Sequence, residues 1–62
     1  MSRELADHRR EGEILEWLGG ISNQAGDPGA AREQWTRAAF LLREADPGAV
    51  ERIEAALAAL PN

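Results

Sequence analysis

The 62-residue sequence predicts an all-α fold, an antiparallel helical hairpin followed by a third, capping helix. The tetrapeptide Asp-Pro-Gly-Ala occurs twice, at residues 27–30 and 46–49, and divides the chain into three segments. In each segment apolar residues recur three and four positions apart, the spacing of an amphipathic helix, and no period-two alternation indicates a strand. We therefore predict one three-helix domain over residues 1–62, with helices at about 8–25, 28–45 and 47–60.

The first predicted helix, at about residues 8–25, lies between a candidate cap, Asp7, and a candidate terminator, Gly26. Glycine adopts the left-handed conformation that commonly ends a helix. The connection to the next helix is then only a few residues long, which predicts an antiparallel hairpin. Helical spacing predicts that the core face of this helix is formed by Ile14, Leu18, Ile21 and Ala25, flanked by Leu15 and Trp17.

The second and third predicted helices each begin at an Asp-Pro pair. The aspartate can accept hydrogen bonds from the free amides of the first turn, and proline fits the first helical position because no donor is needed there. The residue before a proline disfavours helical geometry, so the preceding helix should end. The predicted core faces are Ala31, Trp35, Ala38, Ala39 and Leu42 in the second helix and Val50, Ile53, Leu57 and Leu60 in the third.

Phe40 and Leu41 lie off the apolar face of the second helix. In a two-helix hairpin both would be exposed, and burying each would stabilise the fold by roughly 1.5–3 kcal/mol. We therefore expect the third helix to cover them.

Composition excludes several classes of function. The chain has no cysteine and one histidine, His8, without suitably spaced carboxylates around it, so we expect no metal and no cofactor. No apolar run is long enough to span a membrane, and the net charge of −4 is opposite to that of a nucleic-acid-binding surface. Without a cleft-forming length, the paired acids Glu11 and Glu13 are expected to be surface charges, so no enzyme is predicted. A cytoplasmic protein is expected.

A family resemblance rests on residues at fixed spacing, namely Leu15, Leu18, Gly19, Gly26, Ala31, Trp35, Ala38 and Pro47. This pattern resembles the tetratricopeptide (TPR) repeat, a helical hairpin with a Leu-Gly pair followed by small, aromatic and small residues and a proline. Leu15 and Ser22 replace the usual tryptophan and tyrosine, and the stretch from Trp35 to Pro47 is about one helical turn longer. The resemblance implies that the two helices cross closely at Gly19 and Ala31, with Trp35 filling the adjacent groove.

The resemblance also implies a function. TPR-like units bind proteins as adaptors or scaffolds, and longer repeats of this kind resemble the C-terminal repeats of large actinobacterial transcriptional regulators. Residues 2–6 resemble the end of a preceding repeat's second helix. Since arrays generally need several repeats to be stable, we expect either part of a longer array or a unit that dimerises. A structural homo-oligomerisation domain built from the same helices is the alternative.

In the TPR family the first helix of each repeat lines the ligand groove. Matching that face gives Glu13, Glu16, Gly20, Asn23 and Gln24, which would favour a basic or polar peptide of a protein partner. The alternative is that these glutamates form an ordinary solvated helix face. Trp17, at the edge of the core face, is predicted either to anchor an interface or to fold over Ile14 and Ile21. The predicted partner-binding set is Glu13, Glu16, Trp17, Gly20, Asn23 and Gln24.

Overall fold

The computed structural model describes residues 3–61, with side chains described from residue 6 onward. This part of the chain forms three helices, α1 (Arg3–Gln24), α2 (Pro28–Leu42) and α3 (Pro47–Ala59). Helix α1 packs against α2, and α2 packs against α3. The predicted fold class, a helical hairpin with a third helix, is confirmed. Within residues 3–61 no helix combines the length and the hydrophobicity that a membrane span requires.

Both Asp-Pro pairs begin helices as predicted. The Asp27 carboxylate accepts a hydrogen bond from the Ala30 amide at 3.1 Å, and the Asp46 carboxylate accepts one from the Ala49 amide at 3.3 Å. The prediction that Asp7 caps α1 is wrong, because α1 runs through it from Arg3. No proline follows Asp7, and the Arg-Glu-Leu-Ala segment before it consists of good helix formers.

The segment at residues 2–6 was expected to end a separate, preceding helix. Residues 3–6 instead continue α1 without interruption, and Ser2 lies outside the described residues. The N-terminal part of α1 is therefore longer than the sequence pattern predicts.

The end of α1 follows from Gly26 and Pro28. Gly26 has a positive φ of 84°, as predicted. Its amide donates to the Asn23 carbonyl at 3.1 Å, while the Asp27 amide donates to the Ser22 carbonyl at 2.9 Å. This pair of bonds is the Schellman arrangement that closes a helix on a left-handed glycine. The turn is tight enough to bring α2 back along α1.

Helix α2 ends at Leu42, three residues before the predicted boundary. Its last carbonyl in regular register is that of Leu42, which accepts from the Asp46 amide at 2.8 Å. The next carbonyl, that of Arg43, would need a donor four residues on, where Pro47 has no N–H. Residues 43–45 consequently form a turn.

The core lies on both sides of α2. Its buried members in α2 and α3 are Ala31, Trp35, Ala38, Leu42, Ala49 and Ile53, with Leu60 directly after α3. Ala39, Val50 and Leu57 pack against them as half-buried side chains. The predicted core faces of α2 and α3 are thus confirmed.

The predicted core face of α1 is wrong. Among the α1 residues from 6 onward, Gly12 and Gly19 are buried, whereas Ile14 and Ile21 are exposed and Leu18 is half-buried. Ala25, directly after α1, is exposed, and Leu15 packs against the core as a half-buried side chain. A Cβ at Gly12 would lie 2.5 Å from Leu42 Cγ, and one at Gly19 would overlap the indole of Trp35. Two large side chains of α2 therefore occupy the space that glycine leaves free, and α1 approaches α2 on its smallest residues.

The same pairs define the direction of packing. Gly12 and Gly19 are seven residues apart on α1, and their neighbours Leu42 and Trp35 are seven apart on α2 in the opposite order. The two helices are therefore antiparallel. Gly19 and Ala31 are both buried, and the side chain that fills the space over Gly19 is that of Trp35.

Phe40 is not covered by α3, contrary to expectation. It is 67% exposed, and Leu41 is half-buried. Consecutive helical side chains point about 100° apart, so when Ala39 packs against the core, Phe40 is turned away from it. The Arg43 guanidinium lies over the Phe40 ring, 5.4 Å from its centroid.

Candidate functional site

An open depression of about 480 Å³ lies along one face of α1. It is lined by Glu13, Glu16, Trp17, Gly20, Ile21 and Gln24. Five of the six predicted partner-binding residues are therefore neighbours on one surface. The sixth, Asn23, is exposed but does not line the depression.

Gly20 is the reason that this surface is concave. Nothing lies within 4 Å of the position where a Cβ would be, in contrast to Gly19, where the Trp35 ring fills that position. Trp17 and Gln24 are one turn before and after Gly20 on the same face. The missing side chain leaves a gap between them.

Three large apolar side chains, Ile14, Trp17 and Ile21, line the side of α1 next to this depression; we call them the outer stripe. Their exposed fractions are 50%, 66% and 44%. Spacings of three and four residues place them on one face of the helix. Ile14 and Ile21 were predicted in the core because large apolar residues at this spacing usually face inward. Their place on the surface was therefore not predicted.

Both glutamates of the depression are in ion pairs within the chain. Glu13 Oε2 lies 3.3 Å from Arg9 Nε in the preceding turn. Glu16 Oε2 lies 3.4 Å from an Arg52 guanidinium nitrogen on α3. The pairs are solvent-exposed and contribute only about 0–1 kcal/mol each, but they offset the negative charge of the depression. The surface is thus less acidic than the sequence alone indicates.

Trp35 has the opposite environment to Trp17. It is 7% exposed, and its indole Nε1 donates to the main-chain carbonyl of Glu16 at 2.9 Å. Ser22 Oγ donates to Gln34 Oε1 at 2.7 Å farther along the same seam. These bonds fix α1 on α2 through its inner side. The outer stripe is consequently held in place without taking part in the core.

A second, smaller depression of about 170 Å³ lies near the C-terminal end of α2. It is lined by His8, Phe40, Leu41, Arg43 and Glu44. Phe40 is as exposed as Trp17, but it is one aromatic residue with a guanidinium already over its ring. Among the residues from 6 onward, this surface has two large apolar side chains, Phe40 and Leu41, in place of the row of three found on α1.

In the described part of the chain, no three side chains of the metal-binding types converge on one point. Comparison with protein-family models, with characterised proteins and with solved structures found no match to this chain. The function of the chain is therefore inferred from the geometry of α1.

Proposed function

We propose that this chain is a protein-protein interaction module, a TPR-like helical unit that acts as an adaptor or scaffold through the exposed face of α1. The observation that carries the proposal is Trp17, two-thirds exposed beside the apolar Ile14 and Ile21 and next to a depression. Tryptophan is among the residues most enriched at the energetic centres of protein interfaces. The proposed role is one of binding, without catalysis.

The arrangement of the hairpin supports this proposal. A large exposed apolar patch has a cost in water that a monomeric protein normally avoids. Here Gly12 and Gly19 of α1 face α2, and Ile14, Trp17 and Ile21 of the same helix are exposed. The outer stripe does not belong to the core, so its side chains can contact a partner.

The TPR resemblance also supports a binding surface on α1. In that family the first helix of each hairpin lines the ligand groove, and the depression is found on α1. A link to large transcriptional regulators and a cytoplasmic location stay predictions from the sequence.

Trp17→Ala tests the proposal, with Phe40→Ala as a matched control. Both side chains are aromatic and equally exposed, at 66% and 67%, but they lie on different helices. Wild-type and variant chains would be immobilised and compared for protein capture from cells that express the chain. We expect Trp17→Ala to abolish the capture of specific partners and Phe40→Ala to leave it unchanged. Equal losses of protein capture in the two variants would indicate non-specific hydrophobic adsorption and would contradict a binding face on α1.

A further inference from the structure

The chain exposes more surface to solvent than is expected of a compact monomer of the same mass. It measures 4496 Å², whereas a compact monomer of 6.8 kDa is expected to expose about 4000 Å². A symmetric dimer with the smallest kind of specific interface, about 1,000 Å² in total, would bury about 500 Å² on each copy. A partner with an interface of this size would cover the exposed apolar surface.

The outer stripe supplies the centre of such a contact. A buried tryptophan contributes up to about 250 Å², so Trp17 at 66% exposure leaves roughly 160 Å² for a partner. Ile14 and Ile21 extend this area on both sides. The adjoining depression at Gly20 could receive a large side chain, because a Cβ there would meet nothing within 4 Å.

The charges around the depression favour a neutral apolar partner over a basic one. Glu13 and Glu16 are paired with Arg9 and Arg52, which lowers the net negative charge that a basic ligand would meet. In a two-fold symmetric dimer the same patch meets itself, and unpaired glutamates there would repel one another. The internal ion pairs lessen that repulsion.

We propose that the occupant of this face is a second copy of this chain, with the two α1 helices packed antiparallel across a two-fold axis. This inference rests on the proposed function and names its partner. Trp17 precedes Gly20 by three residues, so an axis passing between them places Trp17 of each copy over Gly20 of the other. The knob and the gap that receives it are then both supplied by α1, and each contact is formed twice.

Sedimentation equilibrium over a range from micromolar to millimolar chain concentration tests the dimer. Trp17→Ala removes the knob and Gly20→Gln fills the gap, whereas Phe40→Ala is the control for an equally exposed aromatic residue elsewhere. We expect a reversible wild-type dimer whose dissociation constant rises at least about tenfold in the first two variants, as for residues at an interface centre. Phe40→Ala should leave it unchanged.

Circular dichroism of each variant shows whether it remains folded, so loss of association can be separated from unfolding. A wild-type chain that stays monomeric at millimolar concentration would overturn the dimer. If such a monomer still captures another protein in a Trp17-dependent manner, the proposed function stands and only its partner is different. A dimer that is insensitive to both Trp17→Ala and Gly20→Gln would overturn the inference. If capture is then also independent of Trp17, the proposed function fails with it.

Discussion

The two faces of α1 differ in a way that inverts the usual amphipathic helix. The inner face meets α2 on Gly12 and Gly19, and both are buried under large side chains of α2. The outer stripe carries the largest apolar side chains of the helix, which are about half to two-thirds exposed. One helix thus approaches α2 closely at two glycines, with the half-buried Leu15 also packed against the core, and presents the outer stripe to the surroundings.

This difference shows that burial of apolar area and closeness of approach are separate ways to pack a helix. On the inner face the large partner is supplied by α2, because Trp35 and Leu42 fill the spaces over glycine. Additional bulk from α1 would push the helices apart. The outer stripe is free of that restriction, so large side chains are tolerated there and can serve binding.

The two tryptophans give the largest expected contrast. Trp35→Ala removes a buried side chain and its hydrogen bond to the Glu16 carbonyl, which should cost about 3–5 kcal/mol of unfolding free energy. A 62-residue domain has little more stability than that. We expect the variant to lose cooperative thermal unfolding, measured by far-UV circular dichroism. A variant that melts like the wild type would remove Trp35 from the centre of the core.

Adjacent glycines give the next contrast. Gly19→Ala would place a methyl group into the Trp35 ring and should destabilise the fold by about 1–3 kcal/mol through overpacking. Gly20→Ala has open space and should stabilise the helix by about 1 kcal/mol. Chemical denaturation of both variants measures the two changes. A Gly19→Ala variant as stable as the wild type or more stable would mean that Gly19 does not lie at the helix crossing.

Trp17→Ala should have a small effect on the folding of the monomer. Because the side chain is 66% exposed and absent from the core, we expect a change within about 0.5 kcal/mol, as for ordinary surface positions. Denaturation at low concentration, where any dimer has dissociated, measures this value, and Phe40→Ala is the comparison. A loss as large as that of Trp35→Ala would place Trp17 in the core.

The smallest effect is expected at the ion pair between α1 and α3. Arg52→Ala removes the partner of Glu16 on an exposed surface, where such pairs contribute about 0.2–1 kcal/mol. The loss should shrink in high salt, since exposed charges are screened. A salt-independent loss above that range would indicate that Arg52 stabilises α3 by packing.

Local chemistry made much of this fold predictable. The Asp-Pro pairs at Asp27 and Asp46 place two helix starts, and Gly26 ends α1 in the predicted left-handed conformation. The core faces of α2 and α3 also follow from helical spacing, because their apolar residues are the ones that pack.

The core face of α1 was not predictable from hydrophobic spacing. Such a pattern ranks residues by size and apolar character, so glycine carries no weight in it. The close crossing at Gly19 was expected only from the family resemblance, which depends on small residues at fixed positions. Four residues of the candidate site, Glu13, Glu16, Gly20 and Gln24, were predicted from that resemblance. Trp17 was predicted separately, as a residue at the edge of the core face, whereas Ile21 was assigned inward by its spacing. The ion pairs of Glu13 with Arg9 and of Glu16 with Arg52 were not predicted from the sequence. Both depend on side-chain rotamers, and the pair with Arg52 also depends on a tertiary contact between α1 and α3.

Acrylamide quenching of single-tryptophan variants tests the central claim that α1 packs on α2 at Gly12 and Gly19 and directs the outer stripe away from the core. Trp35→Phe leaves only Trp17, and Trp17→Phe leaves only Trp35. At concentrations low enough to keep the chain monomeric, we predict strong quenching of Trp17 and weak quenching of Trp35, in line with exposures of 66% and 7%. In folded variants, equal quenching of the two tryptophans or a protected Trp17 would contradict this assignment.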